Sequence, residues 1–396
     1  MGTIPVANPL LMIITFICAV LGEPNNGTTI ATLNVIEAMK KRGHEVRVLC
    51  CDKEREGQEG YYVVKKVNFG PFNNYVAHNG VAPASGKDME TIKKAIEGAD
   101  VVHFNFTWNI SAKVVRYCNK MGIATTASMH TSAENYTNHI FLQFSRFANW
   151  VMYKVLYHAL FKHVDAIHFP SQFIYDLSKK EWHFKNYGEV ISNGIQNDFK
   201  RIPVERPKEF EGKIVVAYTA RYSREKMHKV LLKAMKYSKH RDDIVLILPG
   251  AGPLEKKMRK WAKKWCKNEP IFGFHDHEEM VKILNYCDIY AHCGHVDIEP
   301  ISFLEAVSVG LPPVLTDSKQ SAVSTFAIDK KLNVYKHNSP KDLAAHIDYF
   351  IDHPEAREEN AKGYLGYAQK FDFETSMDKM EQFFLKTIER KKHEKA

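Results

Sequence analysis

The sequence predicts an α/β protein made of two consecutive parallel-sheet halves. Three observations lead there. Apolar segments of strand length alternate with segments of helical period from Leu11 to Met129. The same alternation restarts at Lys213. A charged stretch with proline, Gln196 to Gly212, lies between the series. Strands that alternate with helices need crossover connections, and these build a doubly wound parallel sheet.

In the first series Leu11 to Val20 is read as a buried strand. Its apolar run, Leu10 to Leu21, has no basic segment before it and no small-residue cleavage site after it, which argues against a secretory signal. Thr28 to Arg42 is helical, with Ile30, Leu33, Val35, Ile36 and Met39 largely on one face and Gly43 as its stop. Glu45 to Cys50 is a strand, Met89 to Glu97 a helix and Val101 to Phe104 a strand. Ala112 to Lys120 is a helix closed by Gly122, and Ala124 to Met129 a strand. In the second series the strands are Ile214 to Thr219, Ile244 to Pro249, Ile271 to Gly273 and Asp288 to His292. The helices between them are Lys229 to Tyr237, Leu254 to Cys266 and Glu278 to Tyr286. Phe373 to Arg390 reads as one or two helices. The expected division is therefore residues 1–195, a hinge at 196–212, residues 213–370, and C-terminal helices over 371–396 that cross back to the first half.

The chain has 396 residues, of which 45% are hydrophobic, enough for substantial cores. Its net charge of +9 suits nucleic acid, anionic lipid or a phosphorylated substrate. Nucleic-acid binding would need interleaved aromatic and basic residues on an exposed sheet, or a known module, and neither is present. Seven scattered cysteines with no Cys-x-x-Cys pair read as reduced cytoplasmic thiols. In that compartment the sequons at Asn26, Asn105, Asn109 and Asn135 carry no meaning. No apolar stretch is long enough to span a bilayer.

Four segments carry the chemistry. Leu21-Gly22-Glu-Pro-Asn-Asn-Gly27-Thr28-Thr29 is a glycine-containing loop entering a helix, where backbone N–H groups can meet a ligand. A strand–helix turn without a ligand is its plain reading. His130-Thr-Ser-Ala-Glu134-Asn135 follows a strand, at the end where doubly wound sheets bind ligands. Arg221 and Lys226 also follow a strand, and together they can clamp a diphosphate. Asp297-Ile-Glu299-Pro-Ile-Ser302-Phe303-Leu304-Glu305 puts carboxylates before and inside a helix, one able to address a sugar ring and one a ribose. His275-Asp-His277 and His292-Cys-Gly-His295 match no zinc spacing.

In order, and over nearly the whole chain, these segments resemble the retaining glycosyltransferases of family 4, enzymes of the two-Rossmann (GT-B) kind. Arg42-Gly43-His44-Glu45-Val46 after the first loop is similar to that family's opening. In the acidic motif Asp297 stands eight positions before Glu305, where the family more often has Glu, and Glu299 adds a carboxylate, leaving open which of Asp297 and Glu299 works. The resemblance implies two Rossmann-like domains facing across a cleft, with His130 beside the donor sugar and Glu134 and Asn135 on the acceptor side. It also implies Arg221 and Lys226 on the diphosphate, Glu305 on the ribose, and Ser302, Phe303 and Leu304 on the donor. Gly250, Gly252, Phe272 and Phe274 lie in segments similar to the family's nucleotide-facing loops, and Gly22, Gly27 and Thr28 in its first donor loop. No metal or other cofactor is implied beyond the sugar nucleotide.

Two basic, amphipathic stretches bear on the acceptor. His139 to Asp165 carries Phe141, Phe144, Phe147, Trp150, Val151, Val155 and Leu156 with Arg146, Lys154, Lys162 and His163. Lys256 to Lys267 lines up Met258, Trp261 and Trp265 beside seven basic residues. Each fits a bilayer interface, and each fits an apolar face packed on a sheet. His130 through Ile195 is similar to bacterial diacylglycerol glucosyltransferases, which implies UDP-glucose as donor, a membrane lipid as acceptor and an anionic inner membrane face as the place of work. The alternatives are a family 4 transferase for a soluble sugar or glycan, and a non-catalytic binder of sugar nucleotides that keeps Arg221, Lys226 and Glu305 alone.

Overall fold

Strands form where the apolar runs predict them, and they are trimmed to the length their neighbours can pair. In the computed structural model, which describes residues 11–18, 21, 27–68, 70, 85–105, 109–137, 142 and 145–394, the first seven are β1 (Ile13–Ile17), β2 (Glu45–Cys50), β3 (Tyr61–Val63), β4 (Val101–Phe104), β5 (Ala124–Ser128), β6 (Ala166–Phe169) and β7 (Tyr187–Val190). They make one parallel sheet ordered β3-β2-β1-β4-β5-β6-β7. β1 is shorter than the expected Leu11–Val20 because its ladder lasts only from Ile13 opposite Glu45 to Ile17 opposite Leu49 and Phe104.

The second series gives β8 (Ile214–Ala217), β9 (Ile244–Pro249), β10 (Ile271–Gly273), β11 (Ile289–His292), β12 (Val296–Asp297), β13 (Pro313–Thr316), β14 (Gln320–Ser321) and β15 (Val334–Tyr335). Six of these form a sheet ordered β10-β9-β8-β11-β13-β15, and β12 pairs with β14 alone. Sheet order reverses direction between β1 and β4, and again between β8 and β11. Such switch points open a crevice at the strands' carboxyl ends.

By packing, the chain divides into a unit of residues 1–170, 175–191 and 377–396 and a unit of residues 171–174 and 192–376. The stretch 196–212, expected as a hinge, packs into the second unit: Phe199 and Phe210 are buried in its core and Arg206 pairs with Asp288 at 2.9 Å. Phe373–His393 is one helix. From Met377 onward it belongs to the first unit, where Phe384 packs edge-on to Phe16 and His103. Arg42 reaches Asp378 at 2.8 Å, and Lys391 reaches Asp165 at 2.6 Å.

The two amphipathic helices differ. Arg146–Ala159 buries Asn149, Tyr153 and Leu156 and leaves Phe147 74% exposed, with Trp150, Val151 and Val155 also exposed. Phe141, Phe144 and His139 lie outside the described residues. In Glu255–Trp265, Met258 and Ala262 are buried and Trp261 and Trp265 pack partly buried against the core. The interface reading of this second helix is therefore corrected, since its apolar side is already covered.

Candidate active site

After β8 the chain makes a tight turn that carries the two candidate cations. Tyr222 anchors it, donating its hydroxyl to Leu248 O at 2.5 Å and its N–H to Ala251 O at 2.9 Å. Gly250 (φ +151°) and Gly252 (φ +155°) make this approach possible. A Cβ on Gly250 would sit 2.2 Å from Ala220 O, and one on Gly252 would sit 2.7 Å from Tyr222 O. Their close approach is thus to the backbone around Arg221, and it holds that turn.

Within the turn Arg221 is exposed and pairs with Glu225 at 2.9 Å. Lys226 forms an ion pair with Asp297 Oδ1, and its carbonyl accepts from Tyr218 Oη at 2.8 Å. Asp297 is placed by β12, whose register sets it opposite Ser321, and Ala322 N–H donates to its carbonyl at 2.7 Å. His292 Nε2 stands 3.3 Å from the other carboxylate oxygen. Burial alone would raise the Asp297 pKa. The Lys226 ammonium and the His292 contact outweigh it and hold the group down at about 2. Asp297 is a charged carboxylate across the neutral range.

Glu299 differs, two residues on. Its Oε2 accepts from Asn193 N–H at 3.0 Å and from Asn193 Nδ2 at 2.6 Å. Burial pushes its pKa up to about 7, against the Ser192 and Asn193 hydrogen bonds. The geometry joins Asp297, and not Glu299, to the cationic turn.

The helix Ile301–Ser308 follows Pro300. Ser302 Oγ accepts from Tyr290 Oη at 3.0 Å. Phe303 and Leu304 are fully buried; Phe303 packs against Phe326 and Tyr364 at ring distances of 5.8 and 6.0 Å. Both N–H groups donate to Pro300 O. The side chains of both are core, on the helix's buried side. Glu305 is half-buried one turn on, with its pKa raised by burial to about 7 although His277 pulls it down. Phe272 packs edge-on to Tyr222 at 6.1 Å and under the Arg259 guanidinium at 4.6 Å, while Phe274 is 70% exposed.

In the first unit, Gly22 lies outside the described residues. Gly27 and Thr28 open the helix Gly27–Lys41, with free space around Gly27. His130, just past β5, stacks edge-on to His168 at 5.8 Å. Burial and the neighbouring His168 hold its imidazole down at about 3, so it is neutral at pH 7. Nearby runs a polar row across three strands. His168, held near 4 by burial, is neutral, and its Nε2 faces the Ile191 carbonyl at 2.7 Å, where it must donate. Its Nδ1 then accepts from Ser128 Oγ at 2.7 Å, Ser128 accepts from His103 Nε2 at 2.8 Å, and Thr126 donates to His103 Nδ1 at 2.8 Å. Every donor in the row has its acceptor, which fixes the tautomers.

Glu134 and Asn135 are engaged by their own surroundings. Tyr153 Oη donates to Glu134 at 3.2 Å, and burial raises the Glu134 pKa. Asn135 Oδ1 accepts from Ser132 N–H at 2.9 Å and from Ser132 Oγ at 3.1 Å, closing the turn after His130. Both side chains help to shape that turn.

Sequence reasoning missed Gly294, His292 and Asn193. A Cβ on Gly294 would meet Asp297 Oδ2 at 2.3 Å and His292 Cε1 at 2.8 Å, so only glycine leaves room for the carboxylate. The signal was His292-Cys-Gly-His295 itself, considered only as a metal pattern.

Comparison with known proteins agrees with this arrangement. The profile for Glycosyltransferase Family 4 matches residues 25–199, and that for Glycosyl transferases group 1 matches residues 200–363. An Alpha-monoglucosyldiacylglycerol synthase from Acholeplasma laidlawii is 23% identical over 274 residues, covering 65% of this chain and 67% of that protein. The catalytic domain of a cholesterol-alpha-glucosyltransferase from Helicobacter pylori is 39% identical over 40% of this chain and 98% of its own, with a TM-score of 0.39. Sucrose-phosphate synthase from Thermosynechococcus elongatus shares 16% identity over 95% of this chain and 98% of its own, and its TM-score of 0.74 shows a common GT-B fold.

Proposed function

Because the chain belongs to the group 1, family 4 glycosyltransferases, we propose that it moves a hexose, glucose first, from a UDP-sugar to the hydroxyl of a membrane lipid such as diacylglycerol, with retention at the anomeric carbon. The observation that carries the lipid reading is the exposed row Phe147, Trp150, Val151 and Val155, flanked by Arg146 and Lys154. An apolar stripe beside basic groups lies stably in the interface of an anionic bilayer. Among the described residues no helix is long and apolar enough to cross one; the attachment we propose is peripheral, on the cytoplasmic face. The lipid acceptor in the name of the Acholeplasma laidlawii relative supports the same reading.

The chemistry follows from the cationic turn. As the sugar–phosphate bond breaks, negative charge gathers on the diphosphate. Lys226 has three donors and directs one at Asp297, leaving the others for phosphoryl oxygens. Arg221 adds a planar fork. Positive charge develops at the anomeric carbon, where the Asp297 carboxylate holds the donor ring by its hydroxyls. Glu305 accepts from the ribose. A neutral His130 can hydrogen-bond a sugar hydroxyl without adding charge. No side chain stands out as a nucleophile, so attack by the acceptor on the face the phosphate leaves is the preferred route. No metal is assigned, and transfer in the presence of EDTA is the expected outcome.

The test is incubation of the purified protein with UDP-glucose and mixed micelles containing diacylglycerol or cholesterol, with products read by mass spectrometry. Glycolipid is expected. Product on soluble sugars alone would reject the lipid assignment and favour a soluble acceptor.

A further inference from the structure

The second unit holds a cavity of about 430 Å³ between the start of the His228–Ala234 helix, the Glu255–Trp265 helix and the turn before Pro340. Four cationic side chains line it, Arg224, Lys229, Lys233 and Lys257, and no carboxylate does. Among the described residues neither Lys233 nor Lys257 is in an ion pair, whereas most positive clusters on a folded surface are interspersed with acids. Trp261 forms an apolar wall, with the Lys229 ammonium 5.5 Å over its ring.

His228 borders the same space, but it is only 2% exposed and both its ring nitrogens are closed off from solvent. The donors the cavity offers are therefore those of the four cations. Asp297, Glu305, Phe272 and Lys226 do not line it. It is therefore separate from the groups assigned to the sugar nucleotide.

We propose that this cavity binds the phosphate of an organic phosphate monoester, held by Lys233, Lys257 and Arg224, its carbon skeleton against Trp261. A dianion matches several cations better than a carboxylate does, and lysine ammoniums with an arginine fork are the usual phosphate donors. The volume suits a ligand the size of a sugar phosphate or a glycerophosphate. The site also bears on the clamp, a corollary that rests on the donor reading above. Ser223, Arg224 and Met227 line the cavity, while Lys226 in the same turn reaches Asp297. Met227 sits in the left-handed region at φ +54°, an uncommon state for a residue with a side chain. Occupancy would brace this turn and lower the KM for the sugar nucleotide.

The experiment titrates the full-length protein with inorganic phosphate, glycerol 3-phosphate, and phosphatidylcholine vesicles with or without phosphatidylglycerol. Tryptophan fluorescence and phosphorus NMR report binding. Saturable binding of glycerol 3-phosphate is expected, weakened about tenfold or more in the Lys233→Gln/Lys257→Gln double variant. It should persist in Lys226→Ala and in the presence of UDP. In Trp261→Phe the NMR response should remain while the fluorescence change shrinks. Binding only to phosphatidylglycerol vesicles, whose phosphate is a singly charged diester, would overturn the monoester assignment. Equal affinity in the double variant, displacement by UDP, or no binding of any probe overturns the site. A failure of UDP to bind at all would strike the donor reading and leave these outcomes readable.

Discussion

The two units share a parallel plan and differ in the electrical state of the polar groups around their candidate site residues. In the first, burial keeps His103, His130 and His168 neutral, and a closed chain of hydrogen bonds ties two of them to Ser128. In the second, a charged lysine and a charged aspartate meet on a glycine-braced turn. The units also treat similar helices in opposite ways: Arg146–Ala159 shows its aromatic side to solvent, and Glu255–Trp265 packs its own against the core. One architecture thus supports a neutral polar row across three strands in one half and an ion pair between a turn and a short strand in the other.

The largest expected effect tests the ionic–neutral contrast directly. Lys226→Ala should lower transfer by about 10²–10³-fold, the usual loss when a donor to a developing anion is removed. His130→Ala should lower it by about tenfold, the scale of one neutral hydrogen bond. Initial rates of UDP release would compare them, and equal losses would break the contrast.

Gly294→Ala should come next. Its Cβ would overlap the Asp297 carboxylate, so kcat/KM is expected to fall by about ten- to a hundredfold through misplacement. Kinetics at the parent level would show that the position of Asp297 is not critical.

The helices give the third comparison. Replacing Phe147 and Trp150 by Ser should weaken sedimentation with anionic vesicles by about tenfold and leave the unfolding free energy within about 0.5 kcal/mol. Trp261→Ala should do the reverse, costing about 2 kcal/mol with little change in vesicle binding. Urea denaturation and liposome sedimentation on both variants would decide it.

The smallest effect separates the two acidic residues by the sign of their pH linkage. The Glu299 pKa is raised to about 7, so between the unfolded value of 4.5 and about 7 the folded state holds a proton that the unfolded state has lost. Stability from this group falls as pH rises through that window. Glu299→Gln, which keeps an acceptor for Asn193, should therefore gain about 1–2 kcal/mol on the parent between pH 4.5 and 7.5. Asp297, lowered from 3.8 to about 2, does the opposite: its contribution is complete above 3.8 and is lost as pH falls toward 2. A flat difference between Glu299→Gln and parent across the window would remove the distinction.

Much of this was legible in order along the chain. β2, β4, β9 and β10 coincide with their apolar runs because at least one end of each is cut by glycine, proline or charge. Arg221, Lys226, Asp297 and Glu305 stood out as candidates because charged residues right after strands, or in the helix that follows, lie where such sheets bind ligands; that Lys226 meets Asp297 is what the structure adds. The burial of the Phe303 and Leu304 side chains was not legible, because motif spacing marks a helix and not which of its faces is buried. At Gly250 and Gly252 a glycine reveals that something comes close, and tertiary structure shows that the chain itself does.

The sequence by itself determined the parallel α/β halves, the family and the cationic turn, because hydrophobic period and local turn chemistry are written in near neighbours. Tertiary structure alone decided that Asp297 rather than Glu299 meets Lys226, that Gly294 leaves it room, and which amphipathic helix stays uncovered. Those outcomes depend on contacts between residues tens of positions apart, where register and packing, and no local preference, choose the partner.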